Sequence, residues 1–239
     1  MPNDSLKNQP RILAFDCSGE ILCVALGIES RCEEIELRGN VHASKLIPSI
    51  DKLLGSHDTD VSKLSAIGVG LGPGSFTGLR IALATAKALC WSANIPLIGF
   101  SSLQAIAHQY DVEGEITVMQ KSRKNRVYAA GFFQTKKIIE TIVNEQDCEA
   151  SQYFQNHPSL GLLVGSALSE SRVKEDLEDA KPDHTIPMDT NRSLGQSMID
   201  LCTRHFEEKY FLDLHQVHPN YARPNQEVVN RPQPKEKVV

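Results

Sequence analysis

Between Gly68 and Arg80 the chain reads Gly-Val-Gly-Leu-Gly-Pro-Gly-Ser-Phe-Thr-Gly-Leu-Arg, with glycine at 68, 70, 72, 74 and 78. A short apolar strand, Ala66 to Val69, feeds this loop, and an alanine-rich helix from about Thr77 to Ala93 leaves it. Glycine at alternate positions lets backbone pass close to a neighbour and tolerates positive φ. A helix that opens directly after the loop turns unpaired N–H groups and a partial positive charge onto the same spot. Two readings are open: a cradle for an anion or phosphate, or a tight strand–helix corner.

The segments around the loop set the fold class. Ile12–Asp16, Ile21–Ile28 and Cys32–Leu37 read as three antiparallel strands. Ala43–Leu54 carries Leu46, Ile47, Ile50, Leu53 and Leu54 on the stripe of an amphipathic helix. Pro48 falls inside that run, where it suits the first turn of a regular helix. Pro96–Phe100 is a fifth strand, and Ser101 or Ser102 caps a short helix through His108. The pattern then recurs. Glu115–Gln120, Arg126–Phe133 and Lys137–Val143 read as strands, followed by a helix at Ala150–Gln155, a strand at Leu160–Val164 and a charged helix to about Leu177. Ser193–Phe206 reads as a capped helix with Leu194, Met198, Ile199 and Leu201 on its apolar face. Two successive βββαβα patterns predict a duplicated α/β fold of two lobes, the second degraded and without a glycine loop. The expected divisions are a flexible extension over 1–11, a first lobe over 12–108, a second over 109–216, and a proline- and charge-rich tail over 217–239.

Composition narrows the function classes. The 239 residues are 41% hydrophobic, enough for one large core or two small ones. A net charge of −5 argues against a whole-domain nucleic-acid face. The sequence holds no apolar run near the roughly eighteen residues of a membrane span, and Met1–Pro10 has no apolar leader core. Six cysteines (17, 23, 32, 90, 148 and 202) include no Cys-x-x-Cys pair and read as reduced thiols of a cytoplasmic protein. A bridge between Cys17 and Cys23, across the first hairpin, stays open.

The loop does not match the familiar phosphate motifs. A P-loop needs Lys and Ser or Thr after its last glycine, and here the only downstream lysine is Lys87, inside the helix. The dinucleotide fingerprint fails at Pro73 or at Ser75, depending on the starting glycine. Asp16-Cys17-Ser18-Gly19 ends the first strand and shares the loop's sheet edge if the first and fourth strands are parallel. An acid and hydroxyls in a first hairpin hold Mg²⁺-phosphate in actin-like ATPases, which also need a second phosphate hairpin. Its place here, Gln120 to Asn125, offers neither carboxylate nor glycine. Lys121, Arg123, Lys124 and Arg126 make this turn basic, either as a solvated hairpin or as a phosphate contact. His42 has Leu46 at i+4, and His215 and His218 have only Asp213 nearby, so no metal site is expected. No Gly-x-Ser-x-Gly elbow or Ser/His/Asp set is visible.

Taken together, several blocks carry a family resemblance. Ile12-Leu-Ala-Phe-Asp16-Cys-Ser18, His42-Ala-Ser44 with Leu46-Ile-Pro48, Gly72-Pro-Gly-Ser-Phe-Thr-Gly-Leu-Arg80 and Ile95-Pro-Leu-Ile-Gly-Phe-Ser-Ser-Leu103 resemble, in order and spacing, the TsaB (YeaZ) family. Pro219-Asn-Tyr221-Ala-Arg223 resembles that family's C-terminal Pro-x-Tyr-x-Arg. The resemblance implies an actin-like, ribonuclease-H-like fold. It also implies a non-catalytic subunit of bacterial tRNA threonylcarbamoyladenosine synthesis that binds the catalytic paralogue TsaD and the ATPase TsaE. The paralogue uses two metal-ligating histidines on its first helix; here His42 fills one place and Leu46 the other. Implied with it are a homodimer when the chain is alone, tRNA reached only through the complex, and no cofactor or metal of its own. ATP or ADP is left for an interface with partners. The candidate nucleotide residues are Asp16, Ser18, Gly72, Gly74, Ser75, Thr77 and Arg80. The candidate partner interface is Leu46, Ile47, Ile50, Leu53 and Leu54. The chain departs from the family at Cys17, where threonine is usual, and at Gln120-Lys121-Ser122, in place of Asp-Ala-Arg. An ATPase or kinase of the same superfamily is the alternative reading, and a protease acting on the paralogue ranks last.

Overall fold

The computed structural model describes residues 10–222 except 30, 40, 41, 124, 137 and 187–189, and at His42 and Ala43 the backbone only. The first nine residues of the expected extension, Lys124 of the basic turn, and Arg223 with the rest of the tail lie outside the described residues. No helix among the described residues is long and apolar enough to cross a membrane.

The first lobe contains β1 (Ile12–Asp16), β2 (Ile21–Ile28), β3 (Arg31–Arg38), α1 (His42–Gly55), β4 (Ala66–Gly70), α2 (Phe76–Ala93), β5 (Leu97–Phe100) and α3 (Ser102–Ala107). Its sheet runs β3-β2-β1-β4-β5, with β1 antiparallel to β2 and parallel to β4. β4, and β1 up to its terminal Asp16, are apolar because both of their faces are covered. β3, at the edge, alternates apolar with charged residues.

The second lobe repeats this order. It contains β6 (Gly114–Lys121), β7 (Val127–Gln134), β8 (Ile139–Cys148), α4 (Ala150–Asn156), β9 (Ser159–Val164), α5 (Ser171–Ala180), β10 (Asp183–Thr185) and α6 (Leu194–Glu207). The sheet runs β10-β9-β6-β7-β8, which from the β8 end is the same meander followed by two parallel strands. This twofold topology is the duplication expected from the repeat and the actin-like fold implied by the family resemblance. β10 has no counterpart in the sequence reading, since three residues are too few to show a period.

The third helix of each lobe packs on the sheet of the other. α3 lies against β6, β7 and β8, whereas α6 lies across β1, β2, β3 and β5. Met198, Ile199, Leu201 and Cys202 of α6 join one buried cluster with Ile12, Ala14 and Cys23 of the first sheet, and Leu103, Ala105 and Ala107 of α3 join it with Ile116, Val118 and Phe132 of the second. The molecule is therefore layered: α1 and α2, first sheet, α3 with α6, second sheet, α4 and α5. Residues 194–207, inside the expected second lobe over 109–216, thus pack on the first sheet and belong to a core that both lobes share. Gly68 serves this packing, as a Cβ there would stand 2.3 Å from Cys202 Sγ. The start of the expected tail is also built in: Val217 is buried and the Asn220 N–H donates to Leu71 O at 2.7 Å.

α1 begins at His42, with Pro48 inside it on the exposed side, rather than starting regular structure at Pro48. Its apolar stripe turns inward. Leu46, Ile50, Leu53 and Leu54 are buried against the first sheet with Leu13, Phe15 and Val24, and of the five residues of the expected partner interface only Ile47, 52% exposed, reaches the surface. A stripe of that width is what the chain's own sheet needs to cover its outer face. Cys17 and Cys23 point to opposite faces of the sheet, one in each core cluster, which rules out a bridge between them; all six cysteines are free.

The lobes are also fastened by a carboxylate. Glu145 on β8 accepts hydrogen bonds from Ser101 Oγ, at the cap of α3, and from Asn220 Nδ2. Desolvation outweighs these donors and pushes its pKa from 4.5 up to about 7.

Two predictions follow from the packing. Leu46→Ala should lower unfolding free energy in urea by about 2–5 kcal/mol, while Ile47→Ala stays within about 0.5 kcal/mol. For Glu145, the unfolded chain loses the proton before the folded one does. The stabilisation is complete below pH 4.5 and lost as pH rises through about 7. Wild-type stability should fall over that window, and Glu145→Gln should remove that part of the slope in urea melts.

Candidate functional site

The parallel pairing of β1 with β4 brings the Asp16–Ser18 turn and the glycine loop to one sheet edge. The loop lies directly on that turn. The Ser75 N–H donates to Ser18 O at 2.7 Å, and Ser75 Oγ accepts from the Gly78 N–H at 3.2 Å, capping α2. A Cβ on Gly78 would stand 2.0 Å from Cys17 O, and one on Gly74 would stand 2.3 Å from Ser18 O. Leu71 N–H donates to Phe100 O at 2.9 Å, Gly72 N–H to Ser102 Oγ at 3.1 Å, and Ser102 N–H returns to Gly72 O at 2.9 Å. The N–H groups of Leu71, Gly72, Ser75 and Gly78 are thus used to join β1, β4 and β5 and to cap α2. The glycines make a corner.

Beside this corner lies a cleft of about 740 Å³ between the lobes. Ser18, Gly74, Ser75 and Phe76 line one side; Lys121 and Tyr128 line the other. Tyr128 Oη donates to Gly74 O at 3.3 Å, and Lys121 Nζ lies 2.9 Å from Glu170 and 3.6 Å from Glu20 across the gap. The bond to Glu170 chiefly holds the Lys121 pKa above its ordinary value. An adjoining space of about 540 Å³ has an acidic floor, with Asp16, Glu20, Glu34 and Glu36 against Arg38. A nucleotide triphosphate entering there would meet carboxylates, a cost that a cation or a partner's basic groups would have to offset.

Of the seven nucleotide candidates, Ser18, Gly74 and Ser75 reach the cleft, and Asp16 reaches only the acidic space. Asp16 is nearly buried and accepts from the Ser18 N–H at 2.6 Å. Gly72, Thr77 and Arg80 are not among the residues lining either space. Arg80 turns outward: its guanidinium sits 3.9 Å from the Phe76 ring centroid, and its Nε donates to Tyr221 Oη at 3.1 Å. Phe76 in turn packs on Tyr221 with centroids 5.2 Å apart. This contact joins the glycine block to the Pro219–Tyr221 segment, two stretches singled out separately in the sequence. Glu145 and Tyr128 were not anticipated as joints between the lobes: Glu145 lies in a polar stretch beyond the expected strand, and Tyr128 is a single tyrosine in an otherwise apolar run.

The basic turn is neutralised locally. Arg126 Nε lies 2.8 Å from Asp147 and Arg123 lies 3.8 Å from the same carboxylate. These pairs support the solvated-hairpin reading. His215 packs edge-on against Trp91 at 5.9 Å. Among the described residues the one cluster able to hold a metal ion is Cys23, Glu34 and Glu36, on the acidic floor.

The corner makes a direct prediction. Gly78→Ala should destabilise the fold by about 1–3 kcal/mol, since the new methyl meets backbone. Gly55→Ala, where a Cβ meets nothing within 4 Å, should leave stability unchanged or raise it by up to about 1 kcal/mol. Urea melts of both variants check the contrast.

Comparison with known proteins agrees with this architecture. The family described as "TsaD: tRNA N6-adenosine threonylcarbamoyltransferase" matches residues 36–209. The "tRNA threonylcarbamoyladenosine biosynthesis protein TsaB" of Bacillus subtilis (strain 168) is 29% identical over 221 residues, spanning 89% of this chain and 93% of the relative. The protein of the same name from Haemophilus influenzae is 27% identical over 232 residues, with the same coverage of 89% and 93%. A solved structure described as "YeaZ from Pseudomonas aeruginosa" superposes with a TM-score of 0.72 at 21% identity, over 88% of this chain and 100% of that one, a likeness of fold. The chain belongs to the family described by the TsaD match, and within it to the TsaB (YeaZ) group.

Proposed function

We propose that this chain acts in tRNA threonylcarbamoyladenosine biosynthesis as a non-catalytic scaffold, binding the catalytic paralogue TsaD and the ATPase TsaE in the cytoplasm. The observation that carries the reading is the near full-length match to TsaB relatives. Leu46 supports the non-catalytic part: it occupies the place of the paralogue's second metal-ligating histidine and is wholly buried apolar surface. So does the second hairpin, which turns Lys121 toward two carboxylates and brings no acid of its own to a Mg²⁺-phosphate. In this proposal the chain has no cofactor of its own, ATP or ADP binds only where a partner completes the cleft, and tRNA is reached through the complex. Alone, the chain pairs with a second copy.

The docking surface we infer is the outer face of α1 and α2. Ile47 and Trp91 are large apolar side chains on those helices with 52% and 70% of their surface exposed. Exposed aromatic and branched residues on neighbouring helices have the composition of an interface core.

The test is reconstitution. Threonylcarbamoyl transfer to tRNA by TsaD and TsaE should require this chain, and Ile47→Asp should abolish its co-elution with TsaD while the variant melts normally. Equal product without the chain would overturn the scaffold reading; unchanged co-elution would place the interface elsewhere.

A further inference from the structure

On the acidic floor a row of side chains crosses three neighbouring strands. Asp16 on β1 pairs with Cys23 on β2, and Cys23 pairs with Glu36 on β3. Directly paired residues share a face of the sheet, and Glu34, two residues from Glu36, shares it too. Asp16 leans away toward Gly70, its carboxylate carbon 2.4 Å from where a Cβ of that glycine would stand. The other three converge: Cys23 Sγ and carboxylate oxygens of Glu34 and Glu36 all lie within 4.8 Å of one another.

Two carboxylates near each other are ordinary on a protein surface. The thiol makes this group different. Cys23 is 0% exposed, makes no hydrogen bond among the described residues, and is aimed at both carboxylates. Burial, then Glu34 and Glu36, push its pKa well above the usual thiol range. Desolvation and Glu34 push Glu36 up in the same way. A cation among these groups would lie between the thiol and two carboxylates. Glu34 is already oriented, since Ser193 Oγ at the N-cap of α6 donates to its Oε2 at 2.7 Å. Such an outer partner commonly orients a metal-ligating carboxylate.

We propose that Cys23, Glu34 and Glu36 form a binding site for a divalent cation of borderline softness, zinc(II) by preference, reached through the acidic space that Glu34 and Glu36 line. The mixed sulfur and oxygen donors select this class, because magnesium and calcium take oxygen ligands and avoid thiolate. Bonds of about 2.3 Å to sulfur and 2.0–2.2 Å to oxygen place tetrahedral ligand atoms roughly 3.5 Å apart. A cation would draw the three donor atoms, all within 4.8 Å of one another, to that spacing. On binding, the Cys23 S–H is replaced by S–metal, and its proton passes to solvent. The site is independent of the scaffold role.

Cobalt(II) titration of the full chain tests the proposal by absorption spectroscopy. A sulfur-to-cobalt charge-transfer band should grow to one equivalent and vanish when zinc(II) is added. Cys23→Ser should lose the band, Cys32→Ser should keep it, and Glu36→Gln should keep it with affinity lowered by at least about tenfold. A thermal melt confirms that each variant is folded. If Cys23→Ser does not fold, the affinity of Glu36→Gln decides. Absence of a band saturating at one equivalent, a band that survives loss of Cys23, or affinity unchanged in Glu36→Gln overturns the proposal.

Discussion

The contact between the Ser75 N–H and Ser18 O, 2.7 Å long, holds the glycine loop against the turn that ends β1. Much of the first lobe depends on it. It fixes where α2 begins, because Ser75 then caps the helix through the Gly78 N–H. It also requires glycine at 74 and 78, where any Cβ would run into the backbone of Ser18 and Cys17. The loop in turn carries Leu71 and Gly72 to β5 and to the cap of α3, so one corner orders three parallel strands and two helices.

From that corner the chain cannot be divided into two independent halves. Each sheet needs helices on both faces, and each receives its third helix through the other lobe's chain segment. A cut between residues 108 and 109 would separate α6 from the β1–β5 sheet that it covers. Glu145 adds a polar fastening across the same junction, from β8 to Ser101 and Asn220. The cleft walls are therefore placed by the shared core and by a few polar contacts at its edge, including Tyr128 to Gly74 and Lys121 to Glu20.

Most of the elements were legible in the sequence because their signals are local. Alternation in β3, the apolar runs of β1 and β4, and the serine caps of α3 and α6 each follow from neighbouring residues. The doubled βββαβα order was legible for the same reason. What was not legible concerns which surfaces meet. The stripe of α1 fits equally a core and an interface, and only the sheet beneath it shows that Leu46 and Ile50 face inward. The stripe of α6 gives no sign of which sheet it covers. Within the site, Asp16, Ser18 and the loop were found together. Arg80 was misplaced because helical spacing does not reveal that Phe76 and Tyr221 draw its side chain outward. Cys23, Glu34 and Glu36 stayed hidden because strand register, not sequence spacing, makes them neighbours.

The central claim is that the glycine loop is a corner with its backbone engaged internally, and not a finished phosphate site. Calorimetric titration of the isolated chain with Mg²⁺-ATP tests this most directly. The account predicts no saturable binding tighter than about 1 mM. Saturable micromolar binding that is lost on substituting Asp16 would contradict it.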